Sequence, residues 1–423
     1  MRKILFFIII FFISPLFASN LNKNKECSSD IVKIEFNFPG AGSLSCEVIK
    51  SDYIKIYINP EIDDSINPSP WFAIRKSEHS KSIKLELDYK NYKHRYHPKL
   101  SKDKKKWTKI DEIFISKKED GKIVIIDFLP SNQKEYVASQ ELITDFWYDE
   151  WYNELESSGR VKREIIGFSV LRNPIHMFFA EKNTNNPYIL VLGRQHPPEV
   201  TGALAMKSFI NELLTENFLT DSFLDRYNIL FVPLMNPDGV MNGFWRYNAN
   251  KKDLNRDWGN FTQPETYSVK NFLDNLKNRN QPILYIDFHS TYKNVFYISD
   301  AELKNSEQNF LLNWLEKSRL ELSKINYNFT VKNSYTESNK VSKNYFYNQY
   351  NIPSMTYEVS DSEIRSVIIE SSRILAKELM IILLDTNRKN LDMEERKGFE
   401  PSRRLPAYTL SKRAPSTTRP PLH

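Results

Sequence analysis

The sequence predicts an α/β domain, a mixed sheet flanked by helices, with a small all-β sandwich ahead of it. Three observations carry that expectation. Residues 31–127 hold short stretches that alternate apolar and polar side chains. From residue 139 onward, longer helical patterns alternate with wholly apolar runs. A set of polar residues then falls just beyond the ends of those apolar runs, where α/β sheets place their sites.

The N-terminal module is read from its period. IVKIEFNF, DYIKIYI, SIKLELDY and GKIVIIDF alternate with a spacing of two and are separated by Asn, Pro, Asp, Ser and Gly, as strands and turns require. They imply a β-sandwich over 28–130 with Trp71 and Phe72 in its core. The run Lys102 to Lys106 reads as a solvated loop. Cys27 and Cys46 could pair in an oxidising compartment or remain two thiols.

The second domain is expected over 138–385. SQELITDFWYDEWYNELES, residues 139–157, reads as a helix; PYILVLG is a buried strand, followed by a helix from Val200 to Glu216. YNILFVPL, PILYIDF and SMTYEV are further strands, which with the helices between them imply a largely parallel or mixed sheet. Ser360 and Glu363 have capping-box spacing for a last helix ending near Leu384.

The ends of the chain carry different signals. Arg2 and Lys3, an apolar run over 4–13, Ser14-Pro15 and a small residue at Ala18 read as a signal peptide, 1–18, cleaved on export. The mature protein is then expected to be periplasmic or secreted, with no stable membrane insertion. Residues 386–423 form a basic tail, and 398–423 are rich in Pro, Arg, Ser and Thr, a composition without a core-forming period. That stretch reads as disordered, either a functional basic tail or the product of a reading frame that runs into a transfer-RNA gene. The tail carries +5 and the leader +2 of the formal +6, which leaves −1 for the body. Such a body implies neither nucleic acid nor an anionic surface as partner.

The chemistry is read from order and position. His196 and Glu199 follow the strand that ends at Gly193, with Pro197-Pro198 between them at a helix start. His289 directly follows PILYIDF, and Glu358 lies inside SMTYEV. Two imidazoles and one carboxylate, His196, Glu199 and His289, suit one catalytic Zn²⁺ and leave a fourth position for water. His-x-x-Glu alone is a common spacing on surfaces and caps; the ordered set is the signal.

HPPE, NPDG, WRYNANKKDLNRDW, DFHS and TYEVSD, taken in that order, resemble the motifs of the zinc metallocarboxypeptidases, the funnelins, over roughly Leu155 to Leu384. The resemblance implies that His196, Glu199 and His289 bind the zinc and that Glu358 is the general base for the attacking water. Arg246 would stabilise the oxyanion, and Asn255 with Arg256 would hold the substrate's terminal carboxylate. The implied activity is hydrolysis of the C-terminal bond of peptides or proteins.

A mobile-loop tyrosine usual in such enzymes falls by ungapped counting at Thr336, beside Tyr335, with Tyr345 and Tyr347 as alternatives. The same counting puts Lys343, or Lys340, at the base of the side-chain pocket, which would favour acidic C-terminal residues. GSLSCEVI, NPSPWFAIR, HRYHPKL and WTKI resemble the sandwich domain of cytosolic-type carboxypeptidases, whose members trim glutamates from protein tails. Cell-wall stem peptides, and a peptide- or glycan-binding module without turnover, are the alternative readings.

Overall fold

The computed structural model describes residues 25–63, 67–276, 281–299 and 309–396. Residues 1–24, with the stretch read as a signal peptide, and residues 397–423 lie outside the described residues. Among the described residues, no helix is long and apolar enough to cross a membrane.

The N-terminal module is a sandwich of a six-stranded and a five-stranded sheet. Inward positions of the alternating strands fill its core: Ile54, Ile56 and Ile58 lie beside Leu85, Leu87, Val124 and Ile126 on the inner face of the five-stranded sheet, with Trp71 and Phe72 also buried. The strand Glu135–Ala138 completes the six-stranded sheet, so the module runs past the boundary expected at 130. Cys27 and Cys46 form a disulfide with Cα atoms 6.1 Å apart, joining the strand Glu26–Ser28 of one sheet to Ser43–Lys50 of the other. A crosslink over so short a loop contributes about 3 kcal/mol by restricting the unfolded chain.

The second domain is an eight-stranded mixed sheet. Tyr188–Gly193 and Pro282–Thr291 lie side by side in parallel at its centre, flanked by Asn228–Val232 and Ser354–Ser360, each also parallel to its neighbour. Tyr188–Gly193 and Asn228–Val232 are apolar on both faces because helices cover one side and a second apolar cluster fills the other, whereas Ser354–Ser360 buries Met355, Tyr357 and Val359 on one face and carries Ser354, Thr356 and Glu358 on the other. The core of this domain is continuous with that of the sandwich: Trp71, Leu142, Ile143 and Trp245 belong to one buried cluster.

Three expectations shift. The helix expected from residue 139 begins at Asp145, because Ser139 is tied to the sandwich: its N–H bonds to the Phe72 carbonyl at 2.9 Å and its Oγ accepts from the Phe72 N–H at 3.0 Å. The capping box does not form. Ser360 Oγ donates to the Tyr292 carbonyl at 3.1 Å, Glu363 takes the Asn294 amide at 2.7 Å, and the helix starts only at Arg365. That helix then runs to Arg396, beyond the end expected near Leu384, through residues with neither Gly nor Pro to stop it.

A partly buried ion network joins the two domains to the linker. Glu141 accepts two bonds from Arg365, each 2.8 Å, and one from Lys99 at 2.6 Å. Burial opposes ionisation of Glu141, yet the Arg365 guanidinium and the Lys99 ammonium hold its carboxyl down at about 2. Burial also lowers Lys99, to about 8. Glu141→Ala strips both cations of their carboxylate and is expected to cost about 3 kcal/mol in denaturant unfolding at neutral pH. A carboxyl held below its ordinary 4.5 stabilises above that value and loses the contribution as pH falls towards 2. The gap between wild type and variant should therefore narrow on acidification.

Candidate metal centre

The loop after Tyr188–Gly193 is shaped by a buried arginine. Arg194 takes a left-handed backbone, φ 57°, which turns the chain out of the sheet. Its guanidinium bonds the carbonyls of Pro197 at 2.8 Å and Ile143 at 3.3 Å, fixing the HPPE segment. Glu199 stands at the N-cap of the helix Val200–Leu214, but its carboxylate makes no cap bond. It turns instead to the two histidines: Oε1 lies 2.8 Å from His196 Nδ1 and Oε2 lies 2.8 Å from His289 Nδ1.

Those three side chains are buried and offer ligand atoms all within 4.8 Å of one another. Burial works against the Glu199 carboxylate, yet the two imidazoles hold it well below the ordinary carboxylate range. The far nitrogen of each ring has its own carboxylate: His196 Nε2 lies 2.9 Å from Asp253 Oδ1, and His289 Nε2 lies 2.9 Å from Asp287 Oδ2. Carboxylates behind both imidazoles, leaving each Nδ1 to point at the common centre, are the arrangement that orients histidine ligands. This donor set fits one Zn²⁺.

The supports are tightly placed. Asp287 also accepts from Gln195 Nε2 at 2.6 Å and Ser342 Oγ at 2.5 Å. Asn236 Nδ2 bonds the carbonyls of both Gln195 and Tyr247 at 3.1 Å, linking the NPDG turn to the histidine loop and the arginine loop. Gly202 packs on the strand that carries His289, and a Cβ there would lie 2.6 Å from the His289 carbonyl oxygen. No larger residue fits that crossing.

Glu358 is set by strand register. It pairs directly with His289 across the parallel ladder between Ser354–Ser360 and Pro282–Thr291. Its Oε2 is buried and has no hydrogen-bond partner. Burial pushes its carboxyl up to about 7, with His289 opposing and the Glu199 charge adding to the rise.

A cavity of about 710 Å³ opens over these groups and is lined by His196, Glu199, His289 and Glu358, and also by Arg246, Asn255 and Arg256. Arg246 is held at its side chain by Asp253, which accepts from Nε and from Nη2, each at 2.8 Å. Asn255 Oδ1 accepts the Ser342 N–H at 2.9 Å, and Arg256 is exposed at the mouth. The opposite wall comes from the sandwich, including Ser69, Lys93 and Arg95; Arg95 is bonded to Asp361 at 2.8 Å and lies over the Tyr292 ring.

Tyr335 is not brought to this cavity. Its ring packs edge-on against Tyr347, 5.3 Å between centroids, while Tyr345 is buried among Trp258 and Phe346. The tyrosines that line the cavity are Tyr92, Tyr292 and Tyr297. Asp253 escaped the sequence reading as a site residue although it stands two positions before Asn255 in the same motif. Arg95 lies in HRYHPKL and Asp361 in TYEVSD, but their pairing across 266 residues carried no sequence signal.

The family model described as zinc carboxypeptidase matches residues 148–378. Cytosolic carboxypeptidase 1 of Gallus gallus is 36% identical over 118 residues, 26% of this chain and 10% of that protein. A Plasmodium falciparum protein that bears the name putative zinc carboxypeptidase is 33% identical over 104 residues, 24% of this chain and 6% of that protein. The chain thus spans about a tenth or less of the length of these curated relatives. Among solved structures, a metallo-carboxypeptidase from Burkholderia cenocepacia superposes with a TM-score of 0.70 at 18% identity, covering 84% of this chain and 100% of that one. A metallo-carboxypeptidase from Pseudomonas aeruginosa, in complex with (2-guanidinoethylmercapto)succinic acid, gives 0.66 at 19% identity, with 83% and 98% covered. These structural likenesses speak for the fold. The family match takes in more than half of the residues and both histidines, Glu199 and Glu358, and by it the chain belongs to the zinc carboxypeptidase family.

Proposed function

We propose that the protein is a zinc-dependent metallocarboxypeptidase that hydrolyses the C-terminal peptide bond of peptides or proteins. The observation that carries this reading is the pairing of Glu358, with its unpartnered buried oxygen, to His289 in a cavity that also holds Arg246, Asn255 and Arg256. A zinc ion held by His196, Glu199 and His289 would supply a Lewis acid and lower a water pKa to about 7.

The chain's own residues have distinct work. Glu358 accepts the proton of the attacking water and returns it to the departing amine. Arg246, fixed by Asp253, meets the negative charge that develops on the carbonyl oxygen. Arg256, with its planar fork, and Asn255 hold the terminal carboxylate, and that clamp restricts attack to the last bond. An unpartnered base favours hydrolysis over simple binding, since a binding module has no use for one.

Acidic C-terminal residues are the preferred substrates in this reading. Lys343 is buried, and among the described residues its ammonium has neutral acceptors: Ser299 Oγ at 2.6 Å, Asn344 Oδ1 at 2.9 Å and the Ser334 carbonyl at 3.0 Å. It does not line the cavity itself; Tyr297 and Asn255 do, and Ser342 joins Lys343 to Asn255. A buried cation without a carboxylate is costly, and a substrate carboxylate would relieve it. Burial lowers this ammonium to about 8. A base loses its charge as pH rises through its pKa, so the preference for Glu over Phe should fall as pH rises through about 8. A residue release ratio that is flat with pH, or a Glu/Phe ratio unchanged in Lys343→Met, would remove the acidic preference.

The site of action is proposed to be outside the cytoplasm. The leader and the Cys27–Cys46 bridge support export, since such bridges persist in oxidising compartments. The test of the function is release of single C-terminal residues from a mixed peptide library by the purified chain, with and without a zinc chelator. Chelator-sensitive trimming from the C-terminus is expected. A zinc-loaded protein that trims no peptide would overturn the reading, and muropeptides in a parallel arm would show whether cell-wall stem peptides are cut instead.

A further inference from the structure

Glu61 lies on the loop after the sandwich strand Tyr53–Asn59, and its carboxylate is turned across the domain boundary. Its Oε2 accepts the backbone N–H of Trp245, and its Oε1 accepts those of Arg246 and Tyr247, each at 2.8 Å. Residues 245–247 belong to neither a helix nor a strand. Their amides therefore find their acceptor in the other domain. Successive backbone N–H groups converging on an anion make a strong, oriented contact, because each bond is charge-assisted.

This contact has a bearing on chemistry because its middle residue is Arg246. Asp253 fixes the guanidinium and Glu61 fixes the backbone behind it, so both ends of the side chain are anchored. Around that anchor the domains meet closely: Gly40 N–H bonds the Met241 carbonyl at 2.7 Å, and Tyr92 packs edge-on against Trp245. Gly243 is left-handed, φ 63°, and a Cβ there would lie 2.5 Å from Gly42 N.

We propose that Glu61 is a positioning residue for the hydrolysis, holding Arg246 where the oxyanion forms, and that the sandwich acts on catalysis through it. The inference rests on the role given to Arg246 above. Glu61→Gln keeps the size but sets an amide NH₂ against at least one backbone donor.

The full chain, zinc-loaded, should then lose about 10- to 100-fold in kcat with KM changed less than about threefold, a part of the 10²–10³ that one oxyanion donor supplies. In an Arg246→Ala background the same substitution should cost almost nothing further, since residues that act through one another are not additive. A docking role alone would lower thermal stability and reduce activity equally in both backgrounds, and that result would overturn the proposal, as would an unchanged kcat. Should Glu61→Gln not fold, Glu61→Asp is judged by the same cycle. Hydrogen exchange of the wild-type amides at 245–247 gives a readout without turnover: slow exchange that accelerates in the variant is expected, and fast exchange in the wild type would refute the anchor. If the wild type trims no peptide, the functional reading fails by itself, while the exchange measurement still decides whether Glu61 holds the segment.

Discussion

Replacing Glu358 by Gln should reduce kcat by about 10³-fold while zinc content and KM stay near wild type, because the substitution removes a proton acceptor and little else. The side chain sits directly opposite His289 in the ladder, and its Oε2 has no hydrogen-bond partner. Gln is nearly isosteric and leaves packing undisturbed. The prediction is checked by steady-state kinetics on the residue the library identifies, beside metal analysis of the same preparation. Turnover above a tenth of wild type would assign the base elsewhere, and loss of zinc would show that Glu358 supports the metal instead.

His289→Ala should have the other large effect, and a calorimeter can read it without substrate. In the wild-type chain, zinc binds the folded state, so at a free concentration about 100-fold above Kd it should raise stability by about 2.7 kcal/mol. Removing the His289 imidazole takes one of three donors, leaves Glu199 and Asp287 facing a gap, and should abolish that rise together with all trimming. Chelation of the wild type should reproduce the loss, and added zinc should reverse it. A variant that still gains stability with one equivalent of zinc would mean that the donor set is not His196, Glu199 and His289.

The parts of this site that local chemistry dictates were legible in the sequence. His196 and Glu199 stand beside a proline pair at a helix start, His289 ends an apolar strand, and each announces itself within a few residues. The sheet was legible for the same reason, since Tyr188–Gly193 and Asn228–Val232 are almost wholly apolar runs. What depends on distant chain was not. The Ser360–Glu363 spacing suggested a cap, but Tyr292 and Asn294 compete for those side chains and win. Counting without gaps brought Tyr335 to the pocket, whereas the loop before the helix Ser342–Tyr350 lays its ring on Tyr347. Glu61 acts 185 residues from Arg246, through backbone amides, which carry no residue-type signature at all.

The register between Pro282–Thr291 and Ser354–Ser360 also bears on when activity can exist. His289 meets Glu199 across 90 residues of chain and meets Glu358 only through a parallel ladder, a pairing that needs a long crossover to close first. A slip of one residue would turn Glu358 to the opposite face of the sheet. Hydrolytic capacity is therefore a property of the finished ladder, and a nascent or partly folded chain, even with zinc at hand, has none to direct against its neighbours or itself.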